Sequence, residues 1–308
     1  MTNKTVFYAL GTENSITLEG DGNAIVLSAI IDRVFEIEEK MSAFKSTSEL
    51  SKITQNAGIR PVNVSDDVFC VLERAREISQ TSNGAFDITV RPMTQLWNFG
   101  SGKDTVPKKS EIEAAKSSVG YQNLVLDSKE KTAYLCKPGS SIDLGGIAKG
   151  YAADEAKRIL SEHKVTGALI NFGGNILAVG NSFEETPWKI GIQNPLLERG
   201  VSALTIDVSD KSVVTSAVNE RFFIRNGVRY HHILSPLTGY PAQSGLLSVT
   251  IIDERSWLAD ALSTAVFVLG VEKGMNIIRR YKSDVIFIAK NGDILTTLEQ
   301  NFYLKSGA

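Results

Sequence analysis

The sequence predicts an α+β fold of mainly antiparallel sheets with interspersed helices, in a single domain over residues 1–308. Three observations carry this. Beyond Gly120, apolar and polar residues alternate in short runs, the period-two pattern of half-buried strands. Two hairpins pivot on Asn-Gly pairs, Asn226-Gly227 and Asn291-Gly292, which favour tight turns and hence antiparallel neighbours. Helical spacing returns only at intervals, without the regular strand–helix alternation that a parallel sheet needs. No repeat, low-complexity tract or long Pro/Ser linker marks a domain boundary.

Taken in order, Leu27, Ile30, Ile31, Val34 and Met41 share a helical stripe over Asn23–Met41, interrupted by Glu38. Ser46 and Glu49 have capping-box spacing for a second short helix. A third helix is expected over Asp66–Gln80. Strands follow in "LVLDSKEKTAYLC", "GALINFGGNILAVG", "WKIGIQ" and "ALTIDV", and the hairpin "RFFIRNGVRYHHIL" turns on Asn226-Gly227. Helices return at Ala148–His163, Ser256–Leu269 and Val271–Tyr281.

A chain of 308 residues, 43% hydrophobic, can build a large core. Its 33 Lys and Arg against 35 Asp and Glu give a formal net charge of −2, no field for gathering nucleic acid or an anionic membrane. Cys70 and Cys136 lie in apolar segments, outside any Cys-x-x-Cys pair, and are expected in the core. The start "MTNKTVFYALGTEN" has only Val6 to Leu10 as an apolar run, too short for a signal h-region or a membrane span. As written it predicts a cytoplasmic chain, exported or membrane-anchored only if an N-terminal signal has been removed.

The segment Ser141–Asp154, "SIDLGGIAKGYAAD", gathers a carboxylate, bare backbone and a cation. Gly145 and Gly146 admit close backbone approach, the helix starting near Ile147 offers N–H groups to an anion, and Lys149 adds a point charge. The Walker spacing is missing, and a strand-to-helix turn with a solvated lysine would look the same. Asp143 shifts the balance, because a carboxylate repels phosphate unless a cation sits between them. Phosphate and divalent metal together fit the segment.

In "SWLADALSTAVFVLG", Leu258, Leu262, Ala265, Val266 and Leu269 form the core stripe, leaving Asp260 and Thr264 one turn apart on another face. Both offer oxygens to a hard cation such as Mg²⁺. A partly exposed pair bonding within its own helix is the alternative. His231 and His232 adjoin on the strand before "LSPLTGYP" and point to opposite faces, so one alone can serve a site. His232, beside the turn, is a candidate base near neutral pH. "SAFK" at Ser42–Lys45 has the spacing of penicillin-recognising serine enzymes but lacks their other motifs, and neither G-x-S-x-G nor G-x-G-x-x-G occurs.

Seven segments in order resemble the ApbE family of flavin transferases, whose founding activity is FAD:protein FMN transferase: "LGT" at Leu10–Thr12, "MSAFKSTSELSKI", "GAFDITVRP", "SIDLGGIAKGYAAD", "ALINFGGN", "HHILSPLTGYP" and "LADALSTAVFVLG". The resemblance implies FAD as substrate with Mg²⁺ on its pyrophosphate, the metal held by the Gly146 carbonyl, Asp260 and Thr264. It implies a flavin pocket lined by Leu10, Phe44, Ala85, Phe86, Asp87, Asp143, Lys149 and Leu234, with His232 as base and Lys149 on the phosphates. The implied acceptor is a Ser or Thr hydroxyl of another flavoprotein, which takes FMN and expels AMP. Leu10 stands where the family often has Met, Phe44 where it has Tyr, and Ser263 where some relatives place a further acidic ligand. Many relatives are exported lipoproteins, and no lipobox cysteine lies near this start. An FAD pyrophosphatase releasing FMN and AMP, or a non-catalytic flavin-binding module, would share these features.

Overall fold

The computed structural model describes residues 2–19, 24–102, 104–299 and 302–304. The chain opens with β1 (Thr2–Ala9) and β2 (Thr12–Glu19), joined by Leu10 and Gly11, both with left-handed φ, 55° and 71°. Helix α1 (Ala24–Met41) follows, and Asn23, expected as its first residue, lies outside the described residues. Helix α2 (Glu49–Gln55) differs from expectation at its cap. Ser48, not Ser46, accepts the Ser51 N–H, while Glu49 reaches away to accept the N–H of Ser65. Next come β3 (Val62–Asn63), α3 (Asp66–Thr81), α4 (Arg91–Trp97), α5 (Lys109–Lys116), β4 (Leu124–Asp127), β5 (Thr132–Leu135) and α6 (Ala148–Glu162). The second half contains β6 (Ala168–Phe172), β7 (Asn175–Val179), β8 (Trp188–Gln193), β9 (Ser202–Val208), β10 (Ser212–Ala217), β11 (Phe222–Arg225) and β12 (Val228–His231). It closes with β13 (Leu246–Asp253), α7 (Ser256–Tyr281), β14 (Asp284–Ala289), β15 (Ile294–Thr296) and β16 (Phe302–Leu304).

An eight-stranded sheet in the order β1-β2-β6-β7-β10-β13-β14-β15 forms the centre, and every strand pairing in it is antiparallel. Smaller sheets β16-β9-β8 and β3-β5-β4 and the β11-β12 hairpin complete the set among the described residues. Alternate residues of the large sheet enter different cores. Leu177, Val214, Ile251 and Phe287 join the helices α1, α3, α6 and α7, whereas Ala178, Val213, Ile252 and Ile286 pack against Trp188, Ile190 and Ile206 of β8 and β9. Both faces being covered, β13 is buried at every position and shows no polar alternation.

Helix α7 is long and apolar enough to cross a membrane, but it packs in the helical core and breaks at Gly270, whose φ of 76° only glycine adopts readily. That break separates the two helices expected there. Arg33 on α1 meets Glu155 of α6 at 3.1 Å and Asp67 of α3, which also takes Lys40 at 2.7 Å and the Tyr151 hydroxyl at 2.6 Å. The two cations and the phenol hold the Asp67 carboxyl well below the usual range, against the opposing effect of burial. Neither cysteine is a core residue: Cys70 is half-buried and Cys136 exposed.

Helices α6 and α7 approach closely at Gly150. A Cβ on Gly150 would lie 2.6 Å from the Trp257 Cα and closer still to the Ser256 carbonyl, backbone atoms that cannot rotate away. Gly150→Ala should therefore lower stability at or above the ~1–3 kcal/mol typical of overpacking, seen as a reduced Tm. A native Tm would show that the helices can part freely.

Candidate active site at the crossing of two helix N-termini

The first turn of a helix leaves N–H groups without partners, and here each helix caps the other. Asp154 of α6 accepts from the Ser256 and Trp257 N–H groups of α7 at 2.8 and 2.9 Å. Asp260 of α7 accepts from the Gly150 N–H of α6 at 3.0 Å. Burial pushes Asp154 up to about 6 despite its two bonds, and raises Asp260 as well, opposed by Lys149 and the Gly150 N–H. The Asn175 dipole also favours the charged form of Asp260, although its Nδ2 makes no hydrogen bond. Asp260 is 4% exposed, and its nearest cation, Lys149 Nζ, stands 3.9 Å away. A buried carboxylate with one N–H and one distant ammonium is incompletely compensated.

The residues around it offer oxygens. Gly146 lies where an added Cβ would come 3.5 Å from Thr264 Oγ1 and 3.2 Å from the Phe86 ring, so its bare backbone borders both. Lys149 Nζ donates to the Gly145 carbonyl at 2.8 Å, and Asp143 accepts the Gly145 N–H at 2.8 Å. The Asp143 N–H donates to the Ile88 carbonyl at 2.7 Å, which ties this turn to the segment carrying Phe86. Asp260, Thr264 and the Gly146 backbone carry a carboxylate, a hydroxyl and a carbonyl, oxygen donors of the kind a hard divalent cation takes. Among the described residues no group of three or more His, Cys, Asp or Glu gathers.

His232 follows the end of β12 and its own N–H donates to the Arg221 carbonyl at 3.0 Å. Burial holds its imidazole down to about 4, helped by the charges of Arg221 and Lys149, and its buried Nδ1 has no hydrogen-bond partner. His231 points elsewhere: Nε2 lies 3.1 Å from the Ala242 carbonyl and the ring stands edge-on to Phe267. Burial likewise brings His231 to about 4.

The other expected pocket residues are placed differently. Asp87 uses both carboxylate oxygens internally, accepting from Thr89 N and Oγ1 and from Tyr121 N, and burial raises its pKa. Ala85 is buried, and Leu234 packs with Met93, Trp97 and Phe223. Leu10 sits in the β1–β2 turn, donating its N–H to Glu38 at 3.0 Å. Phe44 is 88% exposed, with the Arg91 guanidinium 4.9 Å from its ring centre. Gly150, Asp154 and Asn175 were not among the expected site residues. The i, i+4 spacing of Gly150 and Asp154 is the signal that both face α7.

The model of the ApbE family matches residues 10–288. The chain belongs to the ApbE family. Among its curated relatives, the FAD:protein FMN transferase of Klebsiella pneumoniae (strain 342) is 36% identical over 277 residues, spanning 88% of this chain and 86% of the relative. That of Treponema pallidum (strain Nichols) is 35% identical over 297 residues, 91% of this chain and 82% of the relative. The solved ApbE protein of Thermotoga maritima superposes with a TM-score of 0.87 at 35% identity, covering 96% of each chain. The flavin transferase ApbE of Vibrio cholerae gives 0.87 at 28% identity, covering 99% and 97%. The α+β architecture with antiparallel sheets is thus the ApbE fold.

Because the folded-state pKa of His232 is depressed below the ordinary 6.5, its share of stability is full above pH 6.5 and is lost as pH falls through about 4. In an NMR titration of the ligand-free protein the His232 ring should stay neutral from pH 8 to 5. A midpoint near 6.5 would mean that the ring is solvated.

Proposed function

We propose that this ApbE-family chain is an Mg²⁺-dependent FAD:protein FMN transferase, which moves FMN from FAD to a Ser or Thr hydroxyl of an acceptor flavoprotein and releases AMP. The observation that carries the reading is the buried, under-compensated carboxylate of Asp260 beside Lys149, Thr264 and the Gly146 backbone. The names of the curated relatives and the fit of the donor set support it.

Asp260, Thr264 and the Gly146 carbonyl would hold Mg²⁺, which supplies charge neutralisation to a pyrophosphate when bound. Lys149, tethered to the Gly145 carbonyl, directs its ammonium at the phosphate oxygens. His232 Nδ1 is buried without a partner and its ring is unprotonated throughout the neutral range, so on this reading it takes the hydroxyl proton as a base weakened by burial. In the transfer the acceptor oxygen bonds to the FMN phosphorus, the bond from that phosphorus to the bridging oxygen breaks, AMP departs, and the hydroxyl proton passes to the imidazole. Phe86, against Gly146, helps to exclude water from this corner.

Three substitutions separate the roles. Asp260→Ala should abolish transfer, followed as covalent FMN by mass spectrometry and in-gel fluorescence, and native turnover with unchanged Mg²⁺ dependence would refute the assignment. Lys149→Ala should weaken FAD binding and slow transfer together, and unchanged titrations and rates would make Lys149 a solvated surface residue. His232→Ala should slow transfer by roughly a hundred- to ten-thousand-fold while FAD affinity changes far less. Equal loss of binding and transfer would instead put His232 in the binding pocket. Hydrolysis of FAD to FMN and AMP without transfer to any hydroxyl acceptor would identify a pyrophosphatase.

A further inference from the structure

Three hydroxyls and one carbonyl line up beside Asp260. Ser216 Oγ, on β10, lies 2.8 Å from Ser263 Oγ and 3.3 Å from Thr264 Oγ1. Ser263 Oγ donates to the Asp260 carbonyl oxygen at 2.8 Å. A hydroxyl carries one proton and a carbonyl none. Since Ser263 gives its proton to the carbonyl, Ser216 is the donor in the Ser216–Ser263 bond. With that proton committed, Ser216 can only accept from Thr264. The chain therefore has one direction: Thr264 to Ser216, Ser216 to Ser263, Ser263 to the α7 backbone.

From this polarity we infer that Ser216 is a positioning residue for the cation site. It draws the Thr264 hydroxyl proton toward β10 and leaves the lone pairs of Thr264 Oγ1 for the divalent cation of the proposed function, on which this inference rests. A freely rotating hydroxyl would present its positive end to the cation part of the time. In the Thr264 helix the usual alternative acceptor, the carbonyl four residues back, belongs to Asp260 and is already bonded by Ser263. The same chain removes Ser263 from the ligand set: it is 1% exposed, its proton is on a carbonyl and its oxygen accepts from Ser216. Where an acidic side chain would add a second charge, Ser263 anchors the relay instead, leaving Asp260 as the one charged ligand supplied by α7.

The test is Mn²⁺ binding to the whole protein, read from the loss of the free-ion EPR signal without FAD, so that no turnover is involved. Ser216→Ala should raise the Mn²⁺ Kd by about tenfold or more, the range found for groups that orient metal ligands. Ser216→Thr, which keeps the hydroxyl, should recover affinity to within about threefold of native. Ser263→Ala should weaken binding less, and the Ser216→Ala/Ser263→Ala double variant should bind no more weakly than Ser216→Ala alone, because both act through one chain. Native Mn²⁺ affinity in Ser216→Ala, or an unrescued Ser216→Thr, overturns the inference. Failure of the wild-type protein to bind Mn²⁺ would overturn the metal reading itself, and is told apart because it appears before any variant is made.

Discussion

Everything at the site depends on the reciprocal capping of α6 and α7. Each helix answers the unpaired N–H groups of the other with a carboxylate, Asp154 for Ser256 and Trp257, Asp260 for Gly150. The arrangement requires the backbones to come close enough that position 150 can carry no side chain. In the same crossing Lys149 and Asp260 are brought to 3.9 Å, and the Gly146 backbone is set against Thr264. The two caps differ in consequence. Asp154 has two N–H partners and completes a helix end. Asp260 has one, is nearly sealed from water, and keeps an oxygen for something else. A residue held this way lowers the stability of the ligand-free protein in exchange for a pre-arranged charge at the site.

The large sheet fixes the remaining partner. Strand β10 lies between β7 and β13, and its pairing with β13 runs from Ser212 opposite Asp253 to Ala217 opposite Ser248. This register opposes Ser216 to Val249 and Thr215 to Thr250, whose hydroxyls meet at 2.8 Å. A slip of one residue would bring Thr215 to the face that Ser216 occupies and break the chain to Thr264. Burial of both sheet faces makes such a slip costly, since Val213 and Val214 would exchange cores.

Much of this was legible in the chain, and the exceptions have physical causes. The α6 and α7 stripes, the break at Gly270 and the two Asn-Gly hairpins follow from periodicity and turn chemistry. Strand β13 does not, because a strand buried on both faces loses its alternation. The β1–β2 hairpin turns on Leu10-Gly11, and Leu at a left-handed φ is not a turn signal. Helices α4 and α5, of 7 and 8 residues, are too short to show a periodic stripe. At the site, Gly146 stands out as a bare position in the turn before α6, and Lys149, Asp260 and Thr264 as polar positions in α6 and α7. Ser216 does not, because its importance lies in a neighbour 48 residues away. His232 was legible as a candidate, but its low basicity comes from burial and from the charges of Arg221 and Lys149, which only the folded chain assembles.

On the function proposed above, Asp260 is a buried carboxylate kept for a cation. Its pKa is raised by burial, so its contribution to stability is full below the ordinary carboxylate pKa and is lost as pH rises through the raised value. Ionising this carboxyl without a divalent metal burdens the fold. The most direct measurement is the Tm of wild type and Asp260→Asn, with and without Mg²⁺ and FAD. The amide can still accept the Gly150 N–H but carries no charge. The account expects Asp260→Asn to melt above wild type in metal-free buffer and to lose the Mg²⁺-dependent rise that binding gives wild type. A variant that melts lower without metal yet keeps the full Mg²⁺ response would contradict it.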